Sequence, residues 1–190
     1  MTRTVTTAPP VHHRTSVVGG LTVAYREAGE PASPTVVLLH GFPTSSHMFR
    51  WLIEDLAGSW HVIAPDHVGF GASDTPPIDT FDYTFDQLAA TTTDLLDQLG
   101  ADRFALYIQD YGAPIGLRIA VRHPHRVTAL IVQNGNAYEE GLTPFWDDLR
   151  GLLGRQGRSR SRRPRTPADR RLPLAVHPRR ARRPARPHQP

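Results

Sequence analysis

The run Thr35-Val-Val-Leu-Leu39 constrains this chain more than any other feature. It is apolar almost throughout, too short for a stable helix, and stops abruptly at His40-Gly41. A strand with one wet face alternates polar and apolar residues, so this run predicts a strand buried on both faces. Such a strand needs helices above and below its sheet, and the surrounding sequence supplies them. Thr15 to Val18 and Leu21 to Tyr25 flank Gly19-Gly20, a two-residue hairpin signal. A helix is predicted from Ser45 or Ser46, with Met48, Trp51, Leu52 and Leu56 at helical spacing, followed by a second buried strand from Trp60 to Ala64. Asp66 to Pro77 is a loop rich in Gly, Asp and Pro. Thr84 and Gln87 form a capping box for a helix whose Leu88, Thr92, Leu95, Leu96 and Leu99 share a face before Gly100. A strand from Phe104 to Ile108, a helix from Ala113 to Arg122 and a strand from Val127 to Val132 complete the series. Strands alternating with helices predict an α/β fold, with a mainly parallel sheet covered on both faces. In such sheets ligands gather beyond the carboxyl ends of the strands.

Composition divides the chain near residue 150. All 22 basic residues are Arg, and 13 of them fall in residues 151–190 with a single acid, Asp169. That segment has no aromatic residue and only five of Leu and Val, so it cannot bury enough apolar surface to offset its ordering entropy. It is expected to be a disordered basic tail. Zero cysteines exclude a disulfide framework, a cysteine nucleophile and a thiolate metal site. No apolar run approaches the roughly 20 residues of a membrane span, and Met1 to Arg14 lacks the apolar stretch of a signal peptide. The expectation is a cytoplasmic protein without membrane, metal or cofactor.

Unusual residues collect at two strand ends. His40-Gly41-Phe42-Pro43 follows the first buried strand, and its glycine allows a sharp turn that leaves the next N–H free to face an anion. Taken alone it reads more simply as an ordinary strand-to-helix turn. In Tyr107-Ile-Gln-Asp110-Tyr-Gly-Ala-Pro114 a buried strand ends on a carboxylate and a helix begins at once. This is the pattern of a nucleophile elbow, which lifts one side chain above the sheet. The plainer alternative makes Asp110 the N-cap of the helix. Both clusters together, on separate strands, favour a chemical site.

With these residues in place, residues 15 to 150 resemble the N-terminal half of the α/β-hydrolase fold family. The resemblance rests on the order of elements, His-Gly-Phe-Pro, the Ala64-Pro-Asp-His-Val-Gly-Phe-Gly-Ala-Ser-Asp74 loop and Gln-Asp-Tyr-Gly. The branch is the one with an aspartate nucleophile, the epoxide hydrolases and haloalkane dehalogenases. Ile108 departs from the pattern, because elbows usually place a small residue there. The resemblance implies that Asp110 attacks a substrate carbon to form an alkyl-enzyme ester. It implies that the N–H groups of Phe42 and Tyr111 form the oxyanion hole, with His40, Gly41, Pro43 and Gly112 shaping the two loops. Related dehalogenases bind halide with a Trp directly after the nucleophile and often an Asn in the first loop. This chain has Tyr111 and Phe42 there, which favours an epoxide over an alkyl halide.

The family also needs a histidine and an acid well downstream of the nucleophile. Residues 138–150 look like the start of a cap, with Phe145 and Trp146 as expected pocket-lining residues, after which Arg and Pro take over. His177 and His188 lie in no recognisable context. Back-translation with a one-base slip re-reads residues 151–157 and 174–184 as aromatic-bearing sequence similar to the family's cap. A Lys-free, Arg- and Pro-rich segment is also what a shifted GC-rich gene yields. The expectation is therefore a frameshift near Arg150 that truncates a hydrolase and stalls turnover at the ester. The organisation expected is a disordered N-terminus (1–14), a core (15–137), a cap start (138–150) and a basic tail (151–190). The tail alternatively suggests nonspecific nucleic-acid binding, since Arg attracts phosphate, but no aromatic residue is there to stack on bases.

Overall fold

A computed structural model describes residues 9–137. The expectations for residues 138–190, Phe145 and Trp146 among them, and for most of residues 1–14 lie outside the described residues. Strands β1 (His12–Val18) and β2 (Leu21–Ala28) pair antiparallel around Gly19-Gly20, with Val18 opposite Leu21. The first strand begins three residues before the predicted run, so His12 to Arg14 belong to the sheet and not to a disordered N-terminus. The reason lies in its partner. Glu27 of β2 takes Arg14 Nε at 2.6 Å, and His61 Nε2 lies 2.8 Å from the same carboxylate. Most of β1 is exposed, so no apolar pattern announces its start.

Strands β3 (Thr35–Leu39), β4 (His61–Pro65), β5 (Phe104–Gln109) and β6 (Val127–Gln133) follow. The described residues form one six-stranded sheet in the order β1-β2-β4-β3-β5-β6. Its last four strands are parallel, and β2 meets β4 antiparallel. The predicted boundaries of β3 match residue for residue, and the mainly parallel α/β sheet is as expected.

Alternate residues of the inner strands feed two cores. Val37, Leu39, Ile63, Leu106 and Ile108 pack with Leu88, Leu95 and Leu96 of α2 (Phe85–Gln98) and with Ile115 and Ile119 of α3 (Gly112–Arg122). Val36, Leu38, Val62, Ala64 and Ala105 face Phe49 and Ile53 across the other side, beneath α1 (Arg50–Leu56). Each fully buried aliphatic side chain contributes roughly 1.5–3 kcal/mol by leaving water. Thr84 caps α2, its hydroxyl accepting from the Gln87 N–H at 3.2 Å, as the sequence predicts.

The first helix differs from its prediction. It is entered through a 3₁₀ turn, Ser46–Phe49, whose tighter winding shifts the phase of the following turn. Phe49 and Ile53 therefore become the buried anchors, while Trp51 is 63% exposed under the Arg50 guanidinium. Strand β6 runs one residue beyond the predicted Val127 to Val132. Its Leu130, Ile131 and Val132 are 42–51% exposed, and among the described residues nothing pairs with its outer edge. No helix among the described residues is long and apolar enough to cross a membrane.

Candidate active site

Strands β3 and β5 are parallel neighbours with Leu39 beside Ile108, so the two clusters found in the sequence leave the sheet side by side. Asp110 follows β5 with φ +48°, in the left-handed region. That conformation costs a non-glycine residue roughly 1–2 kcal/mol, and the neighbours hold it in place. The Asp110 N–H donates to the Gln133 carbonyl at 3.2 Å, and its own carbonyl accepts from the Ala113 N–H at 2.9 Å. The residue in the N-cap position of α3 is Tyr111, with no side-chain cap, so Asp110 does not serve as the plain helix cap weighed above. Instead its Oδ1 accepts from the Phe42 N–H at 2.9 Å and the Tyr111 N–H at 2.6 Å. Two donors from two separate loops thus converge on one carboxylate oxygen. Among the described residues none is aimed at Oδ2.

Close approach explains the glycines. A Cβ at Gly41 would overlap Gln109 Oε1 and stand 2.8 Å from the Asp110 Cβ; one at Gly112 would overlap the Leu39 carbonyl. Any side chain at either place would push the two loops apart and separate Asp110 from Phe42. Ile108, bulky for an elbow, fits because Gly116 of α3 leaves room for its Cγ2. Pro43 follows a cis peptide from Phe42.

Beneath these loops lies a polar layer. His40 and His67 are buried, with ring centroids 4.2 Å apart. Burial lowers the pKa of both, against the pull of the Gly41 carbonyl and the Asp66 carboxylate in His40. Both imidazoles are thereby kept neutral, because desolvation penalises the charged form. Asp66, at the end of β4, accepts from the Ser46 N–H at 2.7 Å and the Ala72 N–H at 2.9 Å, stitching the loop after β4 to the turn before α1. The sequence reading gave His67, Asp66 and Thr44 no role. His67 meets His40 across 27 residues and Asp66 meets the Ser46 N–H across 20, which no local spacing carries, whereas Thr44 bonds the Gly41 carbonyl three residues back in its own turn.

The two residues whose N–H groups meet Asp110 carry aromatic rings that join a larger aromatic cluster. The Phe70 ring lies 5.5 Å from that of Tyr111 and 6.2 Å from that of Phe42, and Phe85 lies 4.7 Å from Tyr111. Burial raises the pKa of the Tyr111 hydroxyl, which keeps it a neutral phenol at ordinary pH. Such a wall suits the apolar part of a small organic molecule beside one charged oxygen.

Comparison with known proteins agrees with this architecture. Residues 34–163 match the alpha/beta hydrolase fold family. The chain belongs to that family. It is 52% identical over 139 residues to an uncharacterized hydrolase of Saccharomyces cerevisiae, covering 73% of this chain and 47% of that one. It is 39% identical over 116 residues to a haloalkane dehalogenase of Mycobacterium marinum, covering 60% of this chain and 39% of that one. Among solved structures, a putative ancestral haloalkane dehalogenase superposes with a TM-score of 0.63 at 33% identity, over 72% of this chain and 48% of the other. The chain thus spans about half the length, or less, of the curated relatives it matches.

Proposed function

We propose that this core is the nucleophile half of a hydrolase that opens epoxides. Asp110 Oδ2 attacks an sp3 ring carbon, the carbon–oxygen bond of the ring breaks, and the released alkoxide takes a proton from an acid outside residues 9–137. The product is an ester between Asp110 and the opened substrate. Water then attacks the ester carbonyl carbon, and the negative charge that develops on Oδ1 is met by the Phe42 and Tyr111 N–H groups. One observation carries this reading: both N–H groups already point at the same oxygen of Asp110. A donor of that kind is worth roughly 10²- to 10³-fold in rate. An aspartate suits this chemistry because its ester survives displacement at carbon and is still cleaved by water.

The epoxide is favoured over a halide by Tyr111 and Phe42, neither of which supplies the indole or amide donor that a departing halide needs. The second reading, displacement of halide from an alkyl halide, is supported by the names of the relatives, several of them haloalkane dehalogenases. We further propose that residues 151–190 supply no water-activating base, since His177 and His188 lie in no recognisable context, so that the polypeptide as given stalls at the ester.

The test is incubation with styrene oxide or with 1-bromobutane, followed by mass spectrometry of the peptide that contains Asp110. A gain of the whole epoxide mass that persists supports the first reading, and a butyl group supports the second. Failure of both reagents to modify Asp110 would overturn the assignment.

A further inference from the structure

The peptide joining Gly41 to Phe42 is held at both polar ends. Its N–H reaches Asp110 Oδ1 at 2.9 Å. Its carbonyl, Gly41 O, has the His40 ring Nδ1 at 2.9 Å, the Thr44 N–H at 3.1 Å and the Thr44 hydroxyl at 3.0 Å. A trans peptide is planar, with its N–H and C=O on opposite sides, so whatever fixes the carbonyl also aims the N–H.

His40 is held by residue 67 at two points, its ring by the His67 backbone N–H and its main-chain carbonyl by the His67 imidazole. The His67 backbone N–H donates to His40 Nε2 at 3.1 Å, and His67 Nε2 donates to the His40 carbonyl at 3.2 Å. Because His40 Nε2 accepts, the ring proton must sit on Nδ1, where it is needed to hold Gly41 O. His67 Nδ1 is buried and has no partner among the described residues, so no second group competes for that ring's orientation.

We propose that His67 is a positioning residue for the Phe42 N–H: it sets the orientation and tautomer of His40, which in turn holds the Gly41–Phe42 peptide against Asp110 Oδ1. This rests on the reading of Asp110 as nucleophile. The arrangement works only with His40 neutral, since a proton on Nε2 would face the His67 N–H donor to donor. The groups facing the pair are Asp66 at the end of β4 and Asp110 across Gly41 at the end of β5, with the Phe70 ring 5.5 Å from His40 and the Tyr111 ring beyond it. Burial keeps both imidazoles below their usual range, so the clip holds at neutral pH and opens in acid.

The experiment compares the wild-type chain with His67→Leu and His67→Gln. Three quantities are followed: the rate of Asp110 ester formation with styrene oxide, hydrogen exchange of the Phe42 amide, and the imidazole ¹⁵N shifts as pH is lowered. In wild type, His40 reports the Nδ1–H tautomer, and Phe42 exchange accelerates as His40 takes up its proton. His67→Leu slows ester formation and speeds Phe42 exchange by about tenfold, the worth of one lost hydrogen bond. His67→Gln restores most of both, because its amide N–H reaches the His40 carbonyl. A folded His67→Leu with wild-type rate and Phe42 exchange overturns the proposal, and so does a wild-type His40 protonated on Nε2 alone. If His67→Leu does not fold, the tautomer and the pH dependence of Phe42 exchange in wild type decide by themselves. Absence of any Asp110 ester in wild type defeats the nucleophile reading and with it the catalytic purpose of the clip, which the exchange and ¹⁵N data then judge as geometry alone.

Discussion

Strands β3 and β5 on one hand and β6 on the other are built from the same aliphatic residues, yet they hold different positions. Val37, Leu38, Leu39, Leu106 and Ile108 are completely buried, whereas Leu130, Ile131 and Val132 are about half exposed. Apolar strand sequence therefore marks membership of the sheet but not depth within it. Depth matters here because the candidate site hangs from the ends of the buried strands, where packing from both faces fixes two loops against each other. The outer strand contributes from the side: its Gln133 carbonyl receives the Asp110 N–H, and its Gln133 side chain receives the Tyr107 hydroxyl.

The largest effect is expected at the site itself. Asp110→Asn keeps the fold and removes the proposed nucleophilic oxygen, so ester formation falls by more than about 10³-fold; an Asn variant that still gains substrate mass at residue 110 would contradict this. Next comes the contrast between inner and outer strands. Leu39→Ala and Leu106→Ala each cost about 2–5 kcal/mol in chemical denaturation, while Leu130→Ala costs under about 1 kcal/mol. Equal losses would erase the distinction drawn between β3 or β5 and β6.

Smaller effects sharpen the picture around the two loops. Gly112→Ala drives a methyl group into the Leu39 carbonyl and is expected to cost about 1–3 kcal/mol. The buried histidines link stability to pH. Their folded pKa values lie below the usual 6.5, so the unfolded chain takes up protons first and stability falls as pH drops below about 6.5. The slope per group is at most about 1.4 kcal/mol per pH unit, and urea titrations of His67→Gln should show a shallower decline than wild type. The smallest change is Thr84→Ala, which removes the hydroxyl that caps α2 and costs about 1 kcal/mol in chemical denaturation.

Much of this was legible along the chain. The β3 run, the Thr84 cap, the hairpin at Gly19-Gly20 and the tight turn at Asp110 each depend on residues within a few positions of one another, and their signals are local for that reason. The early start of β1 was not legible, because it depends on Glu27 and the long partner strand. Nor was the outward turn of Trp51, which follows from a 3₁₀ turn that periodicity counts as α-helix. The His40–His67 pair joins residues 27 apart through two strand ends, and its geometry exists only once β3 lies beside β4.

By itself the sequence determined the class of fold, the order of its elements and the two strand ends where chemistry collects, since these follow from hydrophobic period and from turn residues at fixed offsets. Only the tertiary structure decided that the Phe42 and Tyr111 N–H groups meet on one oxygen of Asp110, that β6 lies at the rim of the described sheet, and that two neutral imidazoles underlie the first loop. Those facts are set by strand neighbours and register, which long-range packing chooses and which no local stretch of sequence encodes.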